Sequence, residues 1–168
     1  MMRNDMPHAK ATRATQLAAD IRLSIIHGTL EPGARIRLDS LREHYGVSLS
    51  PLREAILKLV ATGLVDAQDQ RGNCVANVSA ANLKEVSLVF GTLQVPAIQQ
   101  SLENADLEWE SRLLGATHLV ERTAPGTTEC IDAHSTFHRS LIENCPMPRL
   151  RDMCAAQLDL FSRYLHLF

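Results

Sequence analysis

Residues 47–65, VSLSPLREAILKLVATGLV, constrain this chain more than any other stretch. Ser50 can accept a hydrogen bond from the free N–H groups of a first helical turn, and Pro51 fits the first helical position, where a missing N–H costs nothing. Gly63 supplies a stop. Between them Leu52, Ile56 and Leu59 fall at i, i+4 and i+7, an apolar stripe, while Arg53 and Lys58 lie off it. One face of this helix is core, and another is free to meet phosphate.

What flanks the helix gives it a context. Over residues 12–27, Leu17, Ile21 and Ile25 repeat every four residues and Gly28 ends a first helix. Pro32-Gly33 occupies the centre of a type II turn, followed by a short extended piece over residues 34–38. Asp39 or Ser40 caps a second short helix through Leu41 and Tyr45, closed by Gly46. Helix, tight turn over residues 47–49 and capped helix then form a helix-turn-helix. Beyond Gly63, residues 64–67 and 74–78 read as two strands joined by a hairpin tipped at Arg71-Gly72-Asn73. A hairpin there makes the motif winged and puts Arg71 within reach of a phosphate or minor groove; the alternative is a solvated turn residue.

From Ser79 the pattern is helical. Ser79 caps a helix with Leu83, Val86, Phe90, Leu93 and Ala97 on one face, kinked or interrupted at Pro96. Helices follow over residues 107–122, burying Trp109, Leu113, Ala116 and Val120, over residues 129–144, and from about Arg149. The fold class is mainly α: a polar tail over residues 1–11, a winged helix-turn-helix over residues 12–78, and an all-α bundle over residues 79–168.

With 45% apolar residues a packed core is available. No apolar run approaches the roughly 18–20 residues that span a bilayer, and the N-terminus has no signal-type segment, so the expected location is cytoplasmic, without membrane contact. The four cysteines show no CxxC spacing and read as buried thiols. Residues 1–78 carry ten Lys or Arg against eight acids, a net of +2, and residues 79–168 seven against eleven, a net of −4. The first half is therefore the one to meet a polyanion.

The run Val-Ser-Leu-Ser-Pro-Leu-Arg-Glu-Ala, the following Gly-Leu-Val and the Arg-Gly of the hairpin resemble the winged-helix domain of the GntR family of bacterial transcription regulators. The resemblance implies double-stranded DNA as partner, with Arg42, Ser48, Ser50 and Arg53 on the operator, Arg35 on a phosphate, and Arg71 and Gly72 at the wing. Many members have Arg where this chain has Leu49, so its operator is expected to differ. For Arg53 the alternative is an exposed helix charge.

The second half resembles the helical effector domain (FCD domain) of the FadR-type branch through Asp132-Ala-His134-Ser-Thr-Phe137-His138-Arg-Ser-Leu141 and Asn144-Cys-Pro-Met-Pro-Arg-Leu150. Such domains bind a small carboxylate effector, often through a divalent metal, zinc or nickel, held by an Asp and a His four apart and two later histidines. His134 and His138 are four apart and can share one helix face. His134 stands where the family has Asp, Asp132 is turned off that face, and the chain stops at Phe168 before the region of the later ligands. Phe90 and Gln94 replace the usual Arg and Glu. The bundle therefore reads as truncated, and weak or absent binding of metal and acid is expected.

The expected function is a sequence-specific regulator, a repressor of a small organic-acid or amino-acid catabolic operon, docking as a homodimer on a palindromic operator. The alternative is a truncated regulator serving as a dimerisation or interaction protein. Enzymatic activity is not expected: Cys130 and His134 share a helix face, but no orienting acid or oxyanion site accompanies them.

Overall fold

The computed structural model of the chain describes residues 12–68 and 72–168. Seven helices and one hairpin follow in order: α1 (Arg13–Ile26), α2 (Leu38–Tyr45), α3 (Leu49–Ala61), β1 (Val65–Gln68), β2 (Gly72–Val75), α4 (Ala80–Glu103), α5 (Leu107–Arg122), α6 (Thr128–Leu141) and α7 (Pro148–Leu167). None of the described helices is long and apolar enough to cross a membrane.

The first half closes around one core. The Thr12 side chain accepts from Thr15 N–H at 3.2 Å and starts α1. Leu17, Ile21 and Ile25 of α1 pack with Leu52, Ala55, Ile56 and Leu59 of α3, beside Ile36, Leu64, Val65 and Val75. Full burial of side chains such as Leu52 and Ile21 contributes about 1.5–3 kcal/mol each. The hairpin pairs antiparallel, Val65 opposite Val75 and Asp66 opposite Cys74. A third, strand-like edge comes from residues 34–36: Val75 N–H donates to Ala34 O at 2.9 Å and Ile36 N–H to Asn73 O at 2.8 Å. Gly33, at φ +75°, turns the chain into that edge, and Ala34 N–H donates to Glu31 O at 3.0 Å across the turn.

Two helix starts differ from the sequence reading. The cap position of α3 is Ser48, with Ser50 and Pro51 inside the first turn. Proline is still tolerated there, because the first turn's N–H groups have no partner within the helix. Likewise α2 begins at Leu38, with Arg37 at the cap, so Asp39 lies in the first turn, where its charge favours the helix dipole. Gly46, at φ +61°, closes α2 as expected.

The second half is the helical bundle α4–α7. α4 runs 24 residues and continues through Pro96, which excludes the interruption of the two outcomes expected there. Val86, Phe90 and Ala97 are buried on both sides of the proline, while Pro96 itself faces solvent. Packing of that face holds the helix together across the lost hydrogen bond. Ser79 and Asp106 cap α4 and α5 through bonds to Asn82 and Trp109 N–H. The Trp109 indole N–H donates to Ser140 O at 2.7 Å, joining α5 to α6. α6 is capped by Thr127 and ends at Leu141, three residues before the expected end.

α7 connects the halves. Arg163, 1% exposed, donates to the carbonyls of Ala76 and Asn77 at 3.0 and 3.3 Å, just behind β2. The Tyr164 hydroxyl accepts from Ser79 N–H at 3.2 Å and donates to Asn82 Oδ1 at 2.7 Å. The last turn of α7 reaches the end of α1: a Cβ on Gly28 would stand 3.1 Å from Leu167.

Candidate nucleic-acid interface and the helical-half histidines

α3 buries Leu52, Ala55, Ile56 and Leu59, and this orientation leaves Ser48, Ser50 and Arg53 exposed at its N-terminal end. That end carries the helix's positive dipole and free N–H groups, so phosphate is favoured there even before side chains are counted. Arg53 enters no ion pair among the described residues. Arg42 is half-exposed in α2 and only 3.8 Å from Asp39, a weak surface contact that leaves the guanidinium available. Lys58 is differently placed: its ammonium donates to Thr15 Oγ1 at 2.7 Å and lies 3.7 Å from Glu54, so it ties α3 to α1.

Arg35 is exposed on the edge strand beside the hairpin. An open cleft of about 580 Å³ runs there between the hairpin and the start of α2, lined by Arg35, Arg37, Asp39, Ser40, Gly72 and Asn73. The sequence offers no functional role for Arg37, and it marks Asn73 only as part of the hairpin tip. The available signal was a second arginine two residues from Arg35, which an extended strand places on the same side. Gly72 sits at φ +76°, a left-handed conformation that suits the hairpin tip. Arg71, expected at that tip, lies outside the described residues.

In the helical half, His134 and His138 have different hydrogen-bond partners. His134 is exposed, with Nδ1 3.0 Å from Cys130 O and 3.7 Å from Cys130 Sγ. His138 is half-buried, its Nδ1 2.7 Å from Gln94 Nε2 and its ring edge-on to Phe90 at 5.5 Å. Burial, and then the neighbouring His134, pull the His138 imidazolium below its ordinary value. A neutral ring accepting from Gln94 satisfies both groups, and buried Phe90 stacks on Phe161 at 5.9 Å. Among the described residues, the three-ligand group that the fold does assemble is another one: His27, Asp132 and His166.

Comparison with known proteins agrees with this architecture. Residues 13–75 match the family of bacterial regulatory proteins called the gntR family. The HTH-type transcriptional regulator BphR of Paraburkholderia xenovorans is 34% identical over 133 residues, 74% of this chain and 54% of BphR. The HTH-type transcriptional repressor GlaR of Escherichia coli is 27% identical over 146 residues, 83% of this chain and 66% of GlaR. The chain thus spans about half to two thirds of the length of these relatives. Among solved structures, E. coli McbR/YncC superimposes with a TM-score of 0.81 at 24% identity, over 94% of this chain and 76% of that one. A putative transcriptional regulator GntR from Rhodococcus sp. RHA1 gives 0.74 at 26% identity, over 92% and 75%. Residues 13–75 are thus a winged helix-turn-helix domain of the gntR family of bacterial regulatory proteins, and these relatives of the chain are HTH-type transcription regulators.

Proposed function

We propose that the chain is a sequence-specific DNA-binding repressor acting as a homodimer. The observation that carries this reading is the exposed N-terminal end of α3, where Ser48, Ser50 and Arg53 stand clear of the core. In a helix-turn-helix that end enters the major groove: Arg53 reads a base, and Arg42 and Arg35 hold phosphates. Arg37 and Asn73 of the neighbouring cleft extend the phosphate contact. Resemblance to the FadR-type branch supports control of a small organic-acid or amino-acid catabolic operon in the bacterial cytoplasm. The Phe90 and Gln94 environment of His138 supports weak effector and metal binding at the family's usual place.

Pairing of subunits has support of its own. Leu88, Val95 and Leu102 recur every seven residues on α4 and are 72, 57 and 59% exposed. Seven residues are close to two helical turns, so the three form one apolar line on the solvent side, of the kind that closes against a second copy. Selection of binding sites from a random duplex library tests the whole reading. An enriched inverted repeat with half-sites about one helical turn apart is expected, bound by a species of twice the chain mass in light scattering. No enrichment over random duplex, or a monomer on DNA, overturns it.

A further inference from the structure

We propose that His27, Asp132 and His166 form a binding site for a divalent metal of the zinc class, which clamps the end of α1 to α6 and α7. The site is separate from the His134 and His138 pair and does not rest on the DNA-binding reading. His27 is the residue that ends α1, Asp132 lies in α6, and His166 is in the last turn of α7. These three residues, far apart in sequence, are brought together by the docking of α7 on the first half.

The distances are those of a coordination shell. Asp132 Oδ1 lies 3.2 Å from His27 Nε2 and 3.5 Å from His166 Nε2. All three ligand atoms fall within 4.8 Å of one another. Ligands about 2.0–2.1 Å from a tetrahedral ion are about 3.3–3.4 Å apart, so both Asp132 distances already match the edges of such a shell. The imidazoles meet at 61° with centroids 4.7 Å apart, and both turn the same nitrogen toward one carboxylate oxygen. Two imidazoles and a carboxylate are a donor set that zinc accepts, with a fourth position left for water.

A second observation is independent of these spacings. The His166 side chain is 3% exposed, and its Nε2 is buried without a hydrogen-bond partner. Its 3.5 Å approach to Asp132 is within Coulomb range but is not a hydrogen bond of acceptable geometry. A buried polar atom left unpaired is destabilising, and a metal bond at that nitrogen would remove that cost. Burial, followed by the charge of His27, holds the His166 imidazolium down, with Asp132 opposing, and the neutral ring is the form that ligates metal. The His27 side, 32% exposed, leaves an entry path from solvent.

The test is titration of the chelator-stripped 168-residue chain with zinc in a calorimeter, and with cobalt followed by visible absorption. One metal per chain is expected, with the strong visible bands of four-coordinate cobalt. His27→Ala and Asp132→Asn should each weaken binding about tenfold or more, since even outer partners of metal ligands are worth that much. His134→Ala with His138→Ala should leave it within about twofold. Metal should raise the melting temperature of the unmodified chain and not that of His27→Ala. Because His27 is at the surface, that variant decides the matter even where a His166 variant fails to fold. Unchanged affinity in His27→Ala and Asp132→Asn, loss confined to the His134 and His138 variant, or no binding at micromolar metal would each overturn the proposal.

Discussion

Arg22 of α1 donates to Asp159 of α7 at 2.7 Å across 137 residues of sequence, and Arg139 of α6 donates to the same carboxylate oxygen. One acid, 7% exposed, therefore joins a helix of the winged motif to two helices of the bundle. Arg163 makes further polar links from the same helix to Ala76 and Asn77 of the first half, so α7 is the strut on which the relative placement of the halves depends.

Two opposing effects act on Asp159. Burial raises its carboxyl above the ordinary value; Arg139 and Arg22 pull it back without cancelling that rise. The folded state then holds the proton more tightly than the unfolded state does. Stability from this group is fully present below the unfolded value of about 3.9 and is lost as pH rises through the folded value. Denaturant midpoints of the unmodified chain should therefore fall relative to those of Asp159→Asn as pH is raised from about 4. If the unmodified chain instead gains on the variant, the two arginines outweigh burial.

Two glycines separate backbone strain from contact. At Gly46, between α2 and α3, φ is +61° and an added Cβ meets nothing within 4 Å; at Gly33, φ is +75° and the Cβ would stand 2.8 Å from Asn77 Oδ1. Gly46→Ala should cost about 1–2 kcal/mol from left-handed strain alone. Gly33→Ala should cost more, and the excess should vanish when Asn77 is also alanine, since only the contact is coupled. Urea unfolding of the unmodified chain, the three single variants and the Gly33→Ala, Asn77→Ala double variant measures both, and equal costs for the two glycines with Asn77 present, or an excess that persists without it, would dismiss the contact.

Much of this fold was legible because its signals are local. Thr12 to Gly28, Gly46 and Ser79 mark helix ends through caps and left-handed glycines, and the four-residue period of α1 and α3 marks what they bury. The start of α3 was placed two residues late, because Ser48 and Ser50 are chemically equivalent candidates and Pro51 is tolerated at more than one first-turn position. The cluster of His27, Asp132 and His166 was not legible. Its members share no spacing, and only the docking of α7 brings them together. His134 and His138 show the reverse: good spacing on one helix, but neighbours that give each ring a different partner.

Pro96 gives a test of how tertiary packing overrides propensity. It is exposed inside an unbroken α4, so its ring removes a backbone hydrogen bond without filling the core. Proline within a helix costs about 3 kcal/mol relative to alanine. Pro96→Ala should stabilise the chain by about 1–3 kcal/mol, read as a higher urea midpoint at unchanged slope. A loss of stability would mean that the seating of Phe90 and Ala97 requires a proline-set bend.

The two cations of α3 should behave oppositely, because the fold gives them different neighbours. Arg53 is exposed near the first turn with no ionic partner among the described residues, whereas Lys58 bonds Thr15 and pairs with Glu54 near the far end. On the DNA-reading assignment, Arg53→Ala should lose about 1–3 kcal/mol of affinity for a selected site and far less for random duplex. Lys58→Ala should bind with nearly unchanged affinity and lose up to about 1.5 kcal/mol of folding stability through the Thr15 bond. Titrations at several salt concentrations separate reading from attraction. A base-reading arginine costs the selected site more than random duplex, while a phosphate contact costs both alike and lowers the salt dependence by about one counterion. Equal losses on both duplexes would move Arg53 to the phosphate contacts and leave Ser48 and Ser50 as the base-facing residues of α3.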